Sequence, residues 1–273
     1  ETTSISANIF VGQTEAPLVI KPFISKMTNS ELMAVMTGGF ATVAGGVMAA
    51  YVLMLDKTIP GIAGHLMAAS IMSAPAALVI AKIIYPETSI PETAKGNIEL
   101  SKVSNEANFL ESIGNGATEG MKLALNIAAM LIAFISIIAL INWLLSLISF
   151  GEIVLSIELI LGYVFMPLAF LMGAPWSEAH ILGSLMGQKL VLTEFIAYGN
   201  LASLGDSIST RTATIAAYSL CGFANFASIG IQLGGIGSIA SDRKADLAKL
   251  VMRAMFGGAL ASWLTATIAG ILL

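Results

Sequence analysis

Two carboxylates stand where carboxylates are costly. Glu15 ends the run Asn8-Ile9-Phe10-Val11-Gly12-Gln13-Thr14-Glu15 ahead of Ala16-Pro17-Leu18, and Glu194 lies in Leu192-Thr193-Glu194-Phe195-Ile196-Ala197-Tyr198. Each follows a threonine inside an apolar stretch. An ionised acid at the centre of a membrane-crossing helix costs about 2.5–3.5 kcal/mol on insertion scales, so such acids mark paths for substrates, ions or protons. No Arg or Lys stands near enough in sequence to be an obvious partner for either. The competing reading places each at an interfacial helix end. Other chemistries lack their residues: Cys221 is a lone cysteine, His65 and His180 are isolated, and no HExxH or paired Asp is present. An enzyme is not expected.

The membrane itself follows from composition. Of 273 residues 56% are apolar and 11% charged, where soluble domains carry about 25% charged residues. Uncharged runs cover 32–55, 58–81, 123–151, 159–177, 212–241 and 254–273, and crossing the hydrocarbon takes about 20 residues. The few basic residues form no stripe, which argues against nucleic acid as a partner and leaves membrane lipid as the surroundings. The chain opens on Glu1 with neither an initiator Met nor a leader pattern, so it is expected to begin part-way through a longer protein.

The elements that must hold the acids can be laid out in order. Residues 8–20 are too short to cross and contain Gly12 and Pro17, which suits one limb of a re-entrant hairpin. Spans are predicted at 32–55 and 63–85. The polar stretch 86–119 reads as an extramembrane segment with some amphipathic helix, followed by a long span at 120–149. Two apolar pieces, 159–173 and 178–203, flank Gly173-Ala174-Pro175 and suggest a second hairpin. The run 212–235 reads as a helix broken at Gly222 and again at Gly230, and 245–272 closes the chain. Most cations gather at Lys21 and Lys26, at Lys82, Lys95, Lys102 and Lys122, and at Arg243, Lys244, Lys249 and Arg253. The positive-inside rule makes that side cytoplasmic and puts the C-terminus outside.

An internal echo organises these pieces. Downstream of Thr14-Glu15 comes Gly39-Phe40-Ala41-Thr42-Val43-Ala44, and at a similar distance from Thr193-Glu194 comes Gly222-Phe223-Ala224-Asn225-Phe226-Ala227. The fold class is therefore an all-α polytopic membrane protein. Residues 1–85 form a first repeat of hairpin, broken helix and helix, 86–119 a cytoplasmic linker, 120–150 a long scaffold helix, and 151–273 a second, inverted repeat. Inverted repeats with discontinuous helices put cargo and ions near the bilayer midplane.

The first two runs quoted above, together with Cys221-Gly222-Phe223-Ala224-Asn225-Phe226-Ala227-Ser228-Ile229, resemble the signature segments of concentrative nucleoside transporters. The resemblance runs over essentially the whole chain, with the three motifs in order. It implies sodium-coupled nucleoside uptake across the inner (cytoplasmic) membrane by alternating access of an elevator type, in a homotrimer. Gln13, Thr14 and Glu15 would face the nucleobase, Glu194, Asn225 and Ser228 the ribose, and Phe223 the pocket wall. The sodium ion would take the side chains of Asn8 and Thr42 and the carbonyls of Val11 and Val43, which are hard oxygen ligands. The alternatives are proton coupling or, further off, an intramembrane enzyme or a channel. Residue by residue, Gln13 and Asn225 have the alternative of satisfying unwound backbone, Phe223 of ordinary packing, and Thr42 of bonding back into its own helix. Cys221, beside the unwound segment, is expected to be reachable by a small thiol reagent.

Overall fold

The computed structural model describes residues 1–95, 109–150 and 153–273. The described chain is helical apart from one two-stranded turn. Three short helices come first: α1 (Thr2–Ala7), α2 (Ala16–Val19) and α3 (Lys21–Ile24). The predicted limb at 8–20 is thus a turn with a helix on either side, because Pro17 and Pro22 each restart a helix at its first turn.

Thr28 then starts α4 (Asn29–Ala41) with a capping box. Its hydroxyl accepts from the Glu31 amide at 3.1 Å, and the Glu31 carboxylate accepts from the Thr28 amide at 2.9 Å. Every residue of α4 after Asn29 is buried, as a helix without a polar face must be. Thr42 turns extended and the helix resumes only as α5 (Gly45–Leu55), so the predicted 32–55 span is broken at 42–44. Next comes α6 (Ile62–Ile84). The long α7 (Phe109–Ser146) begins before the predicted 120, since no proline interrupts this stretch and a helix leaving the apolar phase can continue among polar residues. Of the predicted polar linker, 96–108 lie outside the described residues.

The two-stranded turn pairs β1 (Ser149–Phe150) with β2 (Ile153–Val154), the acidic turn residue Glu152 lying outside the described residues. Helices α8 (Ile157–Leu171) and α9 (Trp176–Val191) then pack as an antiparallel pair about Gly173: a Cβ on Gly162 would come 3.2 Å from Ser184, and one on Gly183 2.9 Å from Met166. The predicted limb 178–203 is two helices, not one. Leu192 and Thr193 break it, and Thr193 caps α10 (Glu194–Leu204) by accepting from the Ile196 amide. The chain ends with α11 (Thr210–Leu220), α12 (Phe226–Ile239) and α13 (Lys244–Leu272). The break at 221–225 coincides with Gly222, but Gly230 lies inside α12 without interrupting it; one glycine costs a helix only about 1 kcal/mol. The segments Asn29–Leu55, Ile62–Ile84 and Ser241–Leu272 are long and apolar enough to cross a membrane.

Two polar ends can be told apart. At one, Arg243 donates to the carbonyls of Ser25 and Met27 and to Asn29, Lys26 pairs with Glu92 at 3.2 Å, and Lys82 reaches Glu1 and Ser30. This gathers the regions around Lys26, Lys82 and Arg243 that the charge pattern assigned to one side. Partial burial works against the Glu87 carboxylate here, yet the Thr28 hydroxyl, the Ser89 amide and Lys82 hold it below the ordinary carboxylate range. At the other end Arg211 donates to the carbonyls of Gly173 and Gly270, and Glu178 accepts from Ser209 at 2.7 and 3.1 Å. The start of α9 and the stretch following α10 therefore meet at this second end, while residues 1 and 24–29 are held at the first.

Candidate functional site

Between the ends lies a cavity of about 330 Å³. Its wall includes Gln13, Thr14, Glu15, Glu194, Phe223, Asn225 and Ser228, so all seven residues read from the motifs share one space. Turns and helix starts supply them. Gln13 to Glu15 close the turn after α1, Glu194 opens α10, and Phe223 and Asn225 occupy the break between α11 and α12. Irregular backbone here exposes side chains that a continuous helix would turn away.

Glu194 is the most constrained group. It is 5% exposed, its Oε1 accepts from the Tyr51 hydroxyl at 2.9 Å, and its Oε2 accepts from Asn225 Nδ2 at 2.8 Å. The other end of the Asn225 amide caps α12, accepting from the Ser228 amide at 2.8 Å. Asn225 thus caps the first turn of α12, rather than tying unwound backbone, while it also faces the cavity. Gln13 Nε2 donates to Ser228 Oγ at 3.2 Å, and its Oε1 accepts from Gln232 Nε2 at 3.2 Å. The turn after α1 is thereby joined to α12.

Glu15 differs from Glu194. It is exposed at the cavity's edge, precedes α2 as its N-cap residue and accepts from the Thr14 hydroxyl at 2.9 Å. The two Thr-Glu pairs are alike in sequence but not in burial. The later echo is also out of register: Gly39-Phe40-Ala41 are the last residues of α4, whereas Gly222-Phe223-Ala224 lie beyond the end of α11. The breaks nonetheless touch. Gly222 has φ +109°, and a Cβ there would stand 2.6 Å from the Ala41 carbonyl oxygen, so only glycine allows this approach.

The four residues assigned to the ion flank the break after α4. Asn8 Nδ2 donates to the Gly38 carbonyl at 2.9 Å and to the Thr42 hydroxyl, which itself bonds back to Gly38 at 3.1 Å. Asn8 Oδ1 is buried without a hydrogen-bond partner among the described residues. The Phe10 carbonyl accepts from the Gly45 amide at 3.0 Å, seating the turn that carries Val11 on the break that carries Val43. A buried acceptor with no donor suits a cation.

Sequence reasoning missed three groups here. Tyr51 sits in a run that read as a plain span, and Gln232 in a run read as broken but with no role assigned to it. Lys189, passed over because no cation was an obvious partner for the acids, lies five positions before Glu194 on α9 and is 1% exposed. A lone lysine in an apolar run was the available signal. Cys221 is placed differently from expectation too, being fully buried at the end of α11. Native protein should therefore resist a small polar thiol reagent and take it up only on denaturation, as read by intact mass. Equal labelling before and after denaturation would contradict this placement.

A family model described as Na+ dependent nucleoside transporter C-terminus matches residues 65–270. YutK, an uncharacterized transporter of Bacillus subtilis, is 47% identical over 272 residues, covering 99% of this chain and 66% of that protein. Sodium/nucleoside cotransporter 2 of Rattus norvegicus is 43% identical over 293 residues, covering 100% of this chain and 43% of its own length. The structure of CNTnw in an inward-facing, substrate-bound state superposes with a TM-score of 0.81 at 42% identity, over 98% of this chain and 63% of that one. The chain thus spans two thirds or less of the length of these relatives. With the match extending from the first turn to the last helix, this chain belongs to the Na+-dependent, concentrative nucleoside transporter family.

Proposed function

We propose that the chain forms the cargo-binding part of a sodium-coupled nucleoside symporter of the cytoplasmic membrane. The observation that carries this reading is Glu194, held from both sides by Tyr51 and Asn225 on the wall of the cavity. A ribose presents neighbouring hydroxyls that donate to a carboxylate, and hydrogen bonds to a charged group contribute about 1.5–3 kcal/mol. Asn225 and Ser228 complete the sugar side. From the turn after α1, Gln13, Thr14 and Glu15 offer donors and acceptors to a base edge, and Phe223 gives an apolar surface.

Sodium travels with the nucleoside as a second cargo. Asn8 Oδ1, the Thr42 hydroxyl and the carbonyls of Val11 and Val43 would hold it. One turn, residues 8–15, then carries ion ligands at its start and base contacts at its end. Ordering it around the ion lowers the cost of ordering it around the base, which is a physical route to coupling.

For the architecture, α1 with α2 and α3, and α9 with α10 in place of the predicted pair about Gly173, serve as re-entrant hairpins entering from opposite ends. The proposed repeats are 1–85 and 151–273, joined through the linker and α7 as scaffold, in a homotrimer whose hairpins and broken helices move as an elevator. The meeting of the start of α9 with the stretch after α10 supports this for the second hairpin.

The test is nucleoside binding to the purified full-length protein at constant ionic strength, with sodium or with choline. Binding should be strong in sodium and weak in choline. Sodium-independent uptake driven by a pH gradient would overturn the coupling ion.

A further inference from the structure

Lys189 has no role in the cargo contacts, yet it is among the largest fully buried side chains of the protein. Its Nζ donates to the carbonyls of Ser219 at 3.0 Å and Cys221 at 3.3 Å. The Cys221 carbonyl also accepts from Ser262 Oγ at 2.6 Å. These carbonyls are the C-terminal end of α11, where a helix presents unsatisfied acceptors equivalent to about half a negative charge. A second such end lies against it, since Gly222 backs onto the carbonyls of Phe40 and Ala41 at the end of α4. Glu194 adds a carboxylate a few residues along the chain. Negative features converge here, and among the described residues no carboxylate pairs directly with the ammonium.

The first half of the chain builds the same motif with a different group. There Asn8, following α1, reaches the Gly38 carbonyl and the Thr42 hydroxyl at the end of α4. Here Lys189, near the end of α9, reaches the last carbonyls of α11. In each half a polar side chain from the limb entering the turn meets the C-terminal end of the first part of a broken helix. Asn8 leaves an acceptor free, whereas Lys189 brings a charge of its own.

We propose that the C-terminal end of α11 is a second monovalent-cation site, permanently filled by the Lys189 ammonium as a tethered counterpart of the sodium assigned beside α4. The comparison with sodium rests on the function proposed above; the carbonyl site itself rests on the geometry. Lys189 is a positioning residue. By holding the end of α11, it fixes where Phe223 and Asn225 leave the break and so where Asn225 meets Glu194.

The experiment uses full-length protein carrying Lys189→Met, which keeps the stem without the charge, and Lys189→Ala, which leaves room for a small cation. Binding of radiolabelled uridine and adenosine is measured at saturating sodium while ethylammonium is titrated, with ethanol as the neutral control. Lys189→Met should bind at least about tenfold more weakly, the scale of a lost charged hydrogen bond, and ignore the amine. Lys189→Ala should be weak alone and recover with ethylammonium but not ethanol, and the parent should respond to neither. If Lys189→Ala is too unstable for binding, the same titration is read on its unfolding temperature, which ethylammonium should raise more than it raises the parent's. Parental affinity in Lys189→Met, or indifference of Lys189→Ala to ethylammonium in the measurement used, would overturn the proposal. Amine rescue in a protein whose parental binding ignores sodium would instead keep the α11 site and remove the sodium reading.

Discussion

Glu194→Gln is expected to weaken nucleoside binding about ten- to a hundredfold, the range that follows from losing the charged partner of a hydrogen bond. The substitution keeps the size of the side chain. It also leaves an acceptor for Tyr51, which donates at 2.9 Å, or for Asn225, which donates at 2.8 Å, but turns one of the two oxygens into a donor. The ribose assignment is isolated by a cycle with a 2′,3′-dideoxynucleoside. That ligand should already bind the parent weakly, and the substitution should cost it much less than it costs the ordinary nucleoside. Glu15→Gln, at the exposed edge of the cavity, should change the preference among bases and leave this ribose-linked coupling largely intact. Equal losses for the two ligands in Glu194→Gln would take the carboxylate out of ribose recognition and reassign it to gating or to proton movement.

Asn8→Ala and Thr42→Ala should raise the sodium concentration for half-maximal uptake by roughly tenfold or more, each removing one oxygen from a small cation's shell. Nucleoside affinity at saturating sodium should change far less. Because coupling is reciprocal, both variants should also lose nucleoside affinity when sodium is low. The structure adds a distinction between them. Asn8 donates to both Gly38 and Thr42, so its loss also removes two of the bonds that hold the turn after α1, whereas Thr42→Ala leaves the Asn8 to Gly38 bond in place. Thr42→Ser, which keeps the hydroxyl, should behave as the parent. A Thr42→Ala protein with parental sodium dependence would remove that hydroxyl from the ion's shell.

Much of this molecule was readable before any fold was known. Scarce charge, long uncharged runs and the grouping of cations around Lys26, Lys82 and Arg243 depend only on what a hydrocarbon solvent accepts, which is a property of each residue by itself. The motif around Gln13 to Glu15, the one around Glu194 and the one from Phe223 to Ser228 likewise named residues that share one cavity.

What failed depended on neighbours. Residues 178–203 looked continuous because only a capping threonine, with no proline, divides α9 from α10. Gly230 looked like a break because glycine is a weak breaker that packing overrides. The GFA echo gave two broken helices but the wrong register, since where each helix stops is decided by its contacts, such as Gly222 against the Ala41 carbonyl. Burial separated two acids that sequence made equivalent, leaving Glu15 exposed and Glu194 enclosed. Tyr51 joined the site only when α5 met α10, and Lys189 found its carbonyl partners only when α9 met the end of α11. Solvent preference is local and survives in one dimension, but the partner of a buried polar group comes from another helix, and only the packed chain supplies it.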